Sequence, residues 1–423
     1  MAEALSGKSY LRLVLLGAAI GIPAALVAAL FLALVHEAQH WLWTDLSEAL
    51  GYDTPPWYLV LGLPVVGAAI VLLARRLLPG DGGHEPLEGL STAPTPVSYA
   101  PGVALAAFGT LAFGAVLGPE APVIALGSVV GVLVTKFVTM GKQETAVIST
   151  AGEFSAISAL FGGPIVAGAL LVEAGVGLGA NLLPILLPGL VAAAVGYLIF
   201  TGFGDWGGLD APGLSVPDLP AYTGVHAPDL VVSIIVGVVA ALVLAVARRG
   251  GHGMRGLTGR LGLPVTLLGG GLAVGVLALL ARALGANSQD VLFSGQSSVG
   301  VVATADSAKI VLILLAAKFL AYAVCLGCGF RGGPIFPAIF LGVALASLPV
   351  VWFGMSPTLA VAAGAAAGMA AQTKLLLSPL VLATLLVGAG AIDALPATVL
   401  ATAAAWIATV FLEKRRAAEP APA

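Results

Sequence analysis

A single carboxylate, Glu120, stands between two prolines in Phe113–Gly127, FGAVLGPEAPVIALG, a stretch otherwise built from glycine and apolar residues. Pro122 can open a helix, because its missing N–H is one of the four that a helix start leaves unpaired anyway. Glu120 then sits at or just before a helix N-terminus, where unpaired N–H groups and the dipole make a ready anion site. A carboxylate there can fill that site itself, or swing aside and admit a diffusible anion.

Other residues compete for chemistry. His36-Glu37-Ala38-Gln39-His40 has the HExxH spacing of zinc proteases, with two imidazoles on one helix face and a glutamate as base. A catalytic zinc also wants a third protein ligand in a sheltered cavity, and His84, His226 and His252 all fall in connecting segments. The plainer reading is a polar helix end at the headgroups, with Trp41 and Trp43 as interfacial anchors. Cys325 and Cys328 have no second Cys or His pair nearby, so they read as small residues at a buried helix end. Glu153 and Glu173 lie near the start and at the end of a hydrophobic run, Thr150–Ala174, and carboxylates at membrane depth are functional candidates by default. The glycine-rich turn Pro79–Pro86 leads into a short segment, Leu87–Thr92, and suits close backbone approach to an anion.

The elements that position these residues come in two sets. Gly333–Gly342, GPIFPAIFLG, repeats the Glu120 motif as G-P-x-x-P-x-I-x-L-G, displaced by 215 residues and without the carboxylate. Pro164 and Pro379 open matching runs at the same displacement. Two related halves with glycine- and proline-broken hydrophobic segments point to a transporter with its site between the repeats. Composition agrees: 59% hydrophobic and 9% charged residues exclude an ordinary soluble domain. Apolar runs long enough to span a bilayer fill most of the chain. The expected division is a first membrane repeat over 1–203, an extracytoplasmic loop over 204–228, a second repeat over 229–412 and a short tail over 413–423. The loop lacks Lys and Arg, whereas Arg248, Arg249, Arg255 and Arg260 form a basic cytoplasmic loop, and Lys414, Arg415 and Arg416 follow the last span. Both termini are therefore expected in the cytoplasm, with the chain in the cell membrane. No cleavable leader stands out.

These motifs resemble the CLC family of chloride channels and chloride/proton antiporters, over nearly the whole chain. Gly118-Pro119-Glu120-Ala121-Pro122 is similar to the family's G-[KR]-E-G-P, which puts Glu120 at the gating glutamate. Gly333-Pro334-Ile335-Phe336-Pro337 is similar to G-x-F-x-P, and Gly82-Gly83-His84-Glu85-Pro86 stands in the place of G-S-G-I-P. The resemblance implies an all-α integral membrane protein with inverted-topology repeats and broken helices. It also implies a homodimer with one anion pathway per subunit, located where helix N-termini converge. Neither an enzyme activity, a cofactor nor a nucleic-acid partner is implied.

Several departures follow from the same alignment of motifs. Gly83 replaces the family's central serine, Pro119 replaces the basic residue before the gate, and Pro334 lacks an N–H. The family's C-terminal helix with its pore-facing tyrosine has no expected counterpart. Anion binding is therefore expected at Gly83, His84, Ile335 and Phe336. The family's proton-relay position falls on Ala174, leaving Glu153 and Glu173 as candidate relays. The expected function is glutamate-gated transport of chloride or a similar small anion, passive or loosely proton-coupled. The alternatives are strict chloride/proton antiport, a fluoride- or nitrate-preferring relative and, from another class, an intramembrane zinc protease using His36, Glu37 and His40.

Overall fold

Glycine and proline breaks divide the apolar sequence into helices of very unequal length, and those breaks set where each helix starts. The computed structural model describes residues 7–89, 93–138, 140–175, 182–209 and 214–418. The first half contains α1 (Gly7–His40), α2 (Leu46–Ala49), α3 (Trp57–Leu77), α4 (Ala100–Leu111), α5 (Glu120–Thr135), α6 (Lys142–Phe161), α7 (Pro164–Ala174) and α8 (Leu182–Thr201). The second contains α9 (Ala227–Leu261), α10 (Leu263–Ala283), α11 (Ser288–Val291), α12 (Val299–Ala303) and α13 (Ala308–Gly327). It continues through α14 (Ile335–Phe353), α15 (Pro357–Thr373), α16 (Leu377–Val387) and α17 (Ala391–Ala418). Among the described residues, 8 helices are long and apolar enough to cross a membrane. Shorter apolar helices, including α5, α7 and α16, fill the interior between them.

The repeat is carried by helix starts. The displacement between Glu120 and Ile335, the first residues of α5 and α14, is the one that separates Lys142 and Pro357, the first residues of α6 and α15. In each half the paired helices meet through glycine. A Cβ on Gly127 would strike the Gly152 backbone, and one on Gly342 would strike that of Gly364. Small residues permit this close approach, which replaces a hydrophobic driving force between helices inside a bilayer.

Three boundaries differ from the sequence expectations, each for a local reason. The HExxH residues do not end a helix, because α1 passes through a π-helical turn, Trp41–Asp45, directly into α2. Thus Trp43 is buried, its indole N–H donating to Ala112 O at 3.0 Å, while Trp41 stays exposed. Second, α6 begins at Lys142, where the Glu144 carboxylate reaches back to accept from Gly141 N at 2.9 Å, so Glu153 lies mid-helix rather than near its start. Third, the basic residues after Ala247 belong to α9, not to a loop. The glycines that read as a loop lie within the helix, where Gly251 packs against Leu326 and Leu87. The expected short segment Leu87–Thr92 reduces to a 3-10 turn, Pro86–Glu88, and its residues 90–92 lie outside those described.

Candidate functional site

The two halves touch at their motif glycines. Gly118 N donates to Gly333 O at 2.7 Å, and Gly333 N returns the bond to Gly118 O at 2.6 Å. This two-bond bridge holds the start of α5 against the start of α14. Glu120, the first residue of α5, is fully buried, and its Oε1 accepts from Phe336 N at 2.8 Å. Its Oε2 has no hydrogen-bond partner. The carboxylate lies between the two bridging glycines, since a Cβ on either would fall on it. Glycine is thus required here by space rather than by backbone angle. The arrangement puts a carboxylate on a second helix's N-terminus, where an N–H donor and roughly half a unit of positive dipole charge favour any anion.

A cavity of about 530 Å³ lies beside this junction. Its wall includes Ile124, one turn after Glu120, and Pro334, the residue capping α14. Glu153, which is 1% exposed, also faces it, with Oε1 unpartnered. Ser128 hydrogen-bonds Glu153, shares a 2.7 Å bond with Ser149 Oγ and accepts from Thr95 N at 3.0 Å. Glu120, Ile124 and Ser128 are spaced by four and share one face of α5. Ser128 thus lies about 12 Å along α5 from Glu120, at 1.5 Å rise per residue. Glu88 of the 3-10 turn, Arg248, Arg249 and His252 of α9, Gln372 and Thr373 of α15, Lys374 and Glu413 complete the charged and polar part of the wall.

Of the residues expected from sequence, Glu120, Ile335 and Phe336 come together, and Glu153 on α6 meets the Glu120-bearing face of α5 at Ser128. Glu173 is engaged elsewhere. It accepts from Leu376 N at 2.6 Å, Leu377 N at 2.7 Å, Ser378 N at 2.8 Å and Ser378 Oγ at 2.6 Å, and so caps α16. His84 is exposed, and Gly83 spends its N–H on Gly80 O at 2.9 Å within a turn. That turn is clamped to the segment before α14. Arg75 bonds both Asp81 carboxylate oxygens and Gly329 O, while Arg331 bonds the Asp81 carboxylate and its backbone O. Burial alone would raise the Asp81 carboxyl, but the Arg75 bonds and the nearby Arg331 charge outweigh it and hold it below its ordinary value.

His36, Glu37 and His40 are exposed, and His40 Nδ1 pairs with Asp45 at 3.1 Å. Among the described residues, no group of three His, Cys, Asp or Glu side chains is placed to hold a metal. Cys325 and Cys328 are buried and unbridged, with Val116 N donating to Cys325 Sγ at 3.3 Å.

Sequence reasoning passed over Lys318, a lone charge in an apolar run, although that is a signal in itself. It is fully buried on α13, with Nζ donating to Asp290 O at 2.8 Å and Leu292 O at 3.0 Å, 4.4 Å from the centre of the Phe340 ring. It pins the α11 segment, whose Phe293 N donates to Gly114 O just ahead of the Glu120 turn. Ser128, Arg248 and Gln372 were missed as well. Ser128 could have been found as the second i+4 step from Glu120.

A helical membrane protein of two repeated halves, meeting at opposed helix N-termini around a buried carboxylate, has the architecture of a transporter or channel. Residues 66–409 match the family model described as "Voltage gated chloride channel". Proteins named "Putative ion-transport protein YfeO" from Salmonella schwarzengrund and Salmonella typhimurium are 32% identical over 351 residues, covering 80% of this chain and 80% of theirs. The chain belongs to the voltage-gated chloride channel (CLC) family. Its fold is shared with a slow cyanobacterial Cl-/H+ antiporter at TM-score 0.73 and 19% identity, over 96% of this chain and 98% of that one. It is shared equally with a CLC-type fluoride/proton antiporter at TM-score 0.73 and 20% identity, over 97% and 98%.

Proposed function

We propose that the chain carries chloride or a similar small anion across the cell membrane, along one pathway in each subunit of a homodimer, and that Glu120 gates each pathway. Residues 1–203 and 229–412 act as the two repeats, 204–228 as the outer connection and 413–423 as a tail, with both termini in the cytoplasm. The observation that carries the reading is the single bond from Phe336 N to Glu120 Oε1, with Oε2 unpaired between Gly118 and Gly333. One charge-assisted bond holds the carboxylate where an anion would sit. An arriving anion competes for the same donors, the N–H groups of Ile335 and Phe336, and protonation of Glu120 removes the charge that holds it there. The relatives' names, an ion-transport protein and a Cl-/H+ antiporter, support transport as the activity.

Proton movement in this reading passes through Glu153, which faces the cavity with an unpaired oxygen, rather than through Glu173, whose carboxylate is spent on α16. The coupling is loose, because no carboxylate stands at Ala174. Fluoride is the second anion to consider, since the fluoride/proton antiporter shares the fold as closely as the chloride one.

Reconstitution into liposomes tests the reading. Glu120→Gln should raise chloride efflux or remove its pH dependence, and a mutant with wild-type flux and pH profile would overturn the gate. Chloride-driven proton uptake should vanish in Glu153→Gln and survive in Glu173→Gln. Electrode recordings of fluoride and chloride efflux from the same vesicles choose between the anions.

A further inference from the structure

We propose that the cavity beside the gate is an anion-binding vestibule in which Arg248 is the cationic ligand and Glu153 the linked proton site. A small monovalent anion then binds there more tightly when Glu153 is protonated. The inference rests on the anion-transport reading above and adds a site to it.

Arg248 is placed for this by main chain. Its Nη1 donates to Ala371 O at 2.6 Å, at the end of α15, and its Nη2 lies 3.9 Å from Glu413. The guanidinium is therefore oriented in the cavity wall, and it carries five N–H donors in a fixed fork. Gln372, the next residue after Ala371, has a buried Oε1 without a partner and lines the same cavity. Half a turn of that carboxamide presents its NH2 to an anion in place of the oxygen.

Glu153 faces the same space from α6. Ionised, its unpartnered Oε1 repels an anion held by Arg248. Protonated, the carboxyl loses its charge and its O–H becomes a donor. One group thus changes from repulsion to hydrogen bonding on taking up a proton. The other charged groups facing the cavity are Arg249 and His252 from α9, Lys374 beyond α15, Glu413 from α17 and Glu88 from the 3-10 turn. All five are exposed, so solvent and salt screen them over distances of about 8–10 Å. Glu153 is the buried carboxylate in this wall, and its charge is felt most strongly. His252 is a competing proton acceptor in this wall.

The experiment is calorimetric titration of chloride into the purified full chain carrying Glu120→Gln, so that the gate itself cannot titrate. Across a pH series, chloride should bind about tenfold more tightly at the acid end, where Glu153 holds its proton, than at the alkaline end. Adding Glu153→Gln should give tight binding at every pH, whereas adding His252→Gln should leave the dependence intact. Arg248→Gln should weaken chloride at least about tenfold, and Arg248→Lys less, with the pH dependence kept in the latter. Should Glu153→Gln fail to fold, Ser128→Ala is the second variant, and it should shift the midpoint of the pH dependence. The proposal is overturned by a pH-independent affinity in the Glu120→Gln protein, by a pH dependence that survives Glu153→Gln or stays unmoved in Ser128→Ala, or by full affinity in Arg248→Gln. None of these outcomes bears on the gate, whose own failure appears as unchanged flux in Glu120→Gln.

Discussion

Glu120 and Glu173 are both carboxylates of the first half that reach the start of a helix in the second half. Glu120 meets α14 and takes one N–H, from Phe336, leaving Oε2 unpaired. Glu173 meets α16 and takes three N–H groups and a hydroxyl, so that both oxygens are filled. The same chemistry, a negative charge on a helix N-terminus, leaves a lightly held carboxylate in one place and a clamped one in the other. The number of donors decides which. A group held by one bond can be displaced by an anion offering the same charge, whereas displacing one held by four means losing four charge-assisted bonds at once.

The largest effect expected from this contrast is on stability. Glu173→Gln replaces a charged cap with a neutral one whose NH2 faces N–H groups, and should cost about 2–4 kcal/mol. Glu120→Gln keeps an oxygen to accept from Phe336 N, gives up only the charge behind that one bond, and should change stability by less than about 1 kcal/mol. Denaturant unfolding of both variants in the same detergent reads the difference directly. Equal losses in the two would break the comparison, because Glu120 would then be a cap as well.

How far this contrast was legible in the chain depends on distance along it. The displacement of 215 residues predicts that α5 and α14 are equivalent, and both helices begin at the equivalent residues Glu120 and Ile335. Glycine and proline act locally, so the breaks at Gly118-Pro119 and Gly333-Pro334 could be read without knowing what they pack against. The partners of Glu173 lie 203 to 205 residues away, and no local pattern announces them. Glu153 was misplaced because the polar start of α6, KQET, looks like a connection until Gly141 and Glu144 cap it. Arg248 was hidden for a related reason, since the glycine-rich run RRGGHGMRG reads as a loop. Those glycines instead give α9 a surface thin enough to pack on α13, where a Cβ on Gly327 would collide with the Gly251 carbonyl.

A third carboxylate contact sharpens the contrast at intermediate size. Asp81 is bound from two sides by Arg75 and Arg331, tying the Gly80–Gly83 turn to the segment ahead of α14. Its side chain is half exposed, so the pair is screened and should be worth about 1 kcal/mol or less. The sign follows from its lowered folded-state pKa. A carboxyl depressed on folding contributes stability that is fully present above its unfolded value, near 3.9, and lost as pH falls through the lower folded value. Asp81→Asn should therefore lower stability near pH 7 and flatten its fall below about pH 4. An unchanged acid limb in the mutant would assign that limb to other carboxylates.

The smallest effect is expected at His84, where sequence placed an anion ligand. Gly83 and His84 stand where the family motif carries its serine, and an imidazolium there would attract an anion. The imidazole is exposed, however, and neither residue lines the cavity beside Glu120. The preceding turn faces Arg331 instead: a Cβ on Gly82 would touch Ala106 and the Arg331 and Arg75 side chains. An exposed charge is screened by solvent and ions and contributes little at physiological salt. His84→Ala should accordingly change chloride affinity at pH 5.5 by less than about twofold in 150 mM ionic strength, against about tenfold for Arg248→Gln. The two variants belong in one calorimetric series, because they separate the residue at the family's motif position from the residue in the cavity wall. A larger loss in His84→Ala than in Arg248→Gln would return the anion site to the Gly83 turn and remove Arg248 from it.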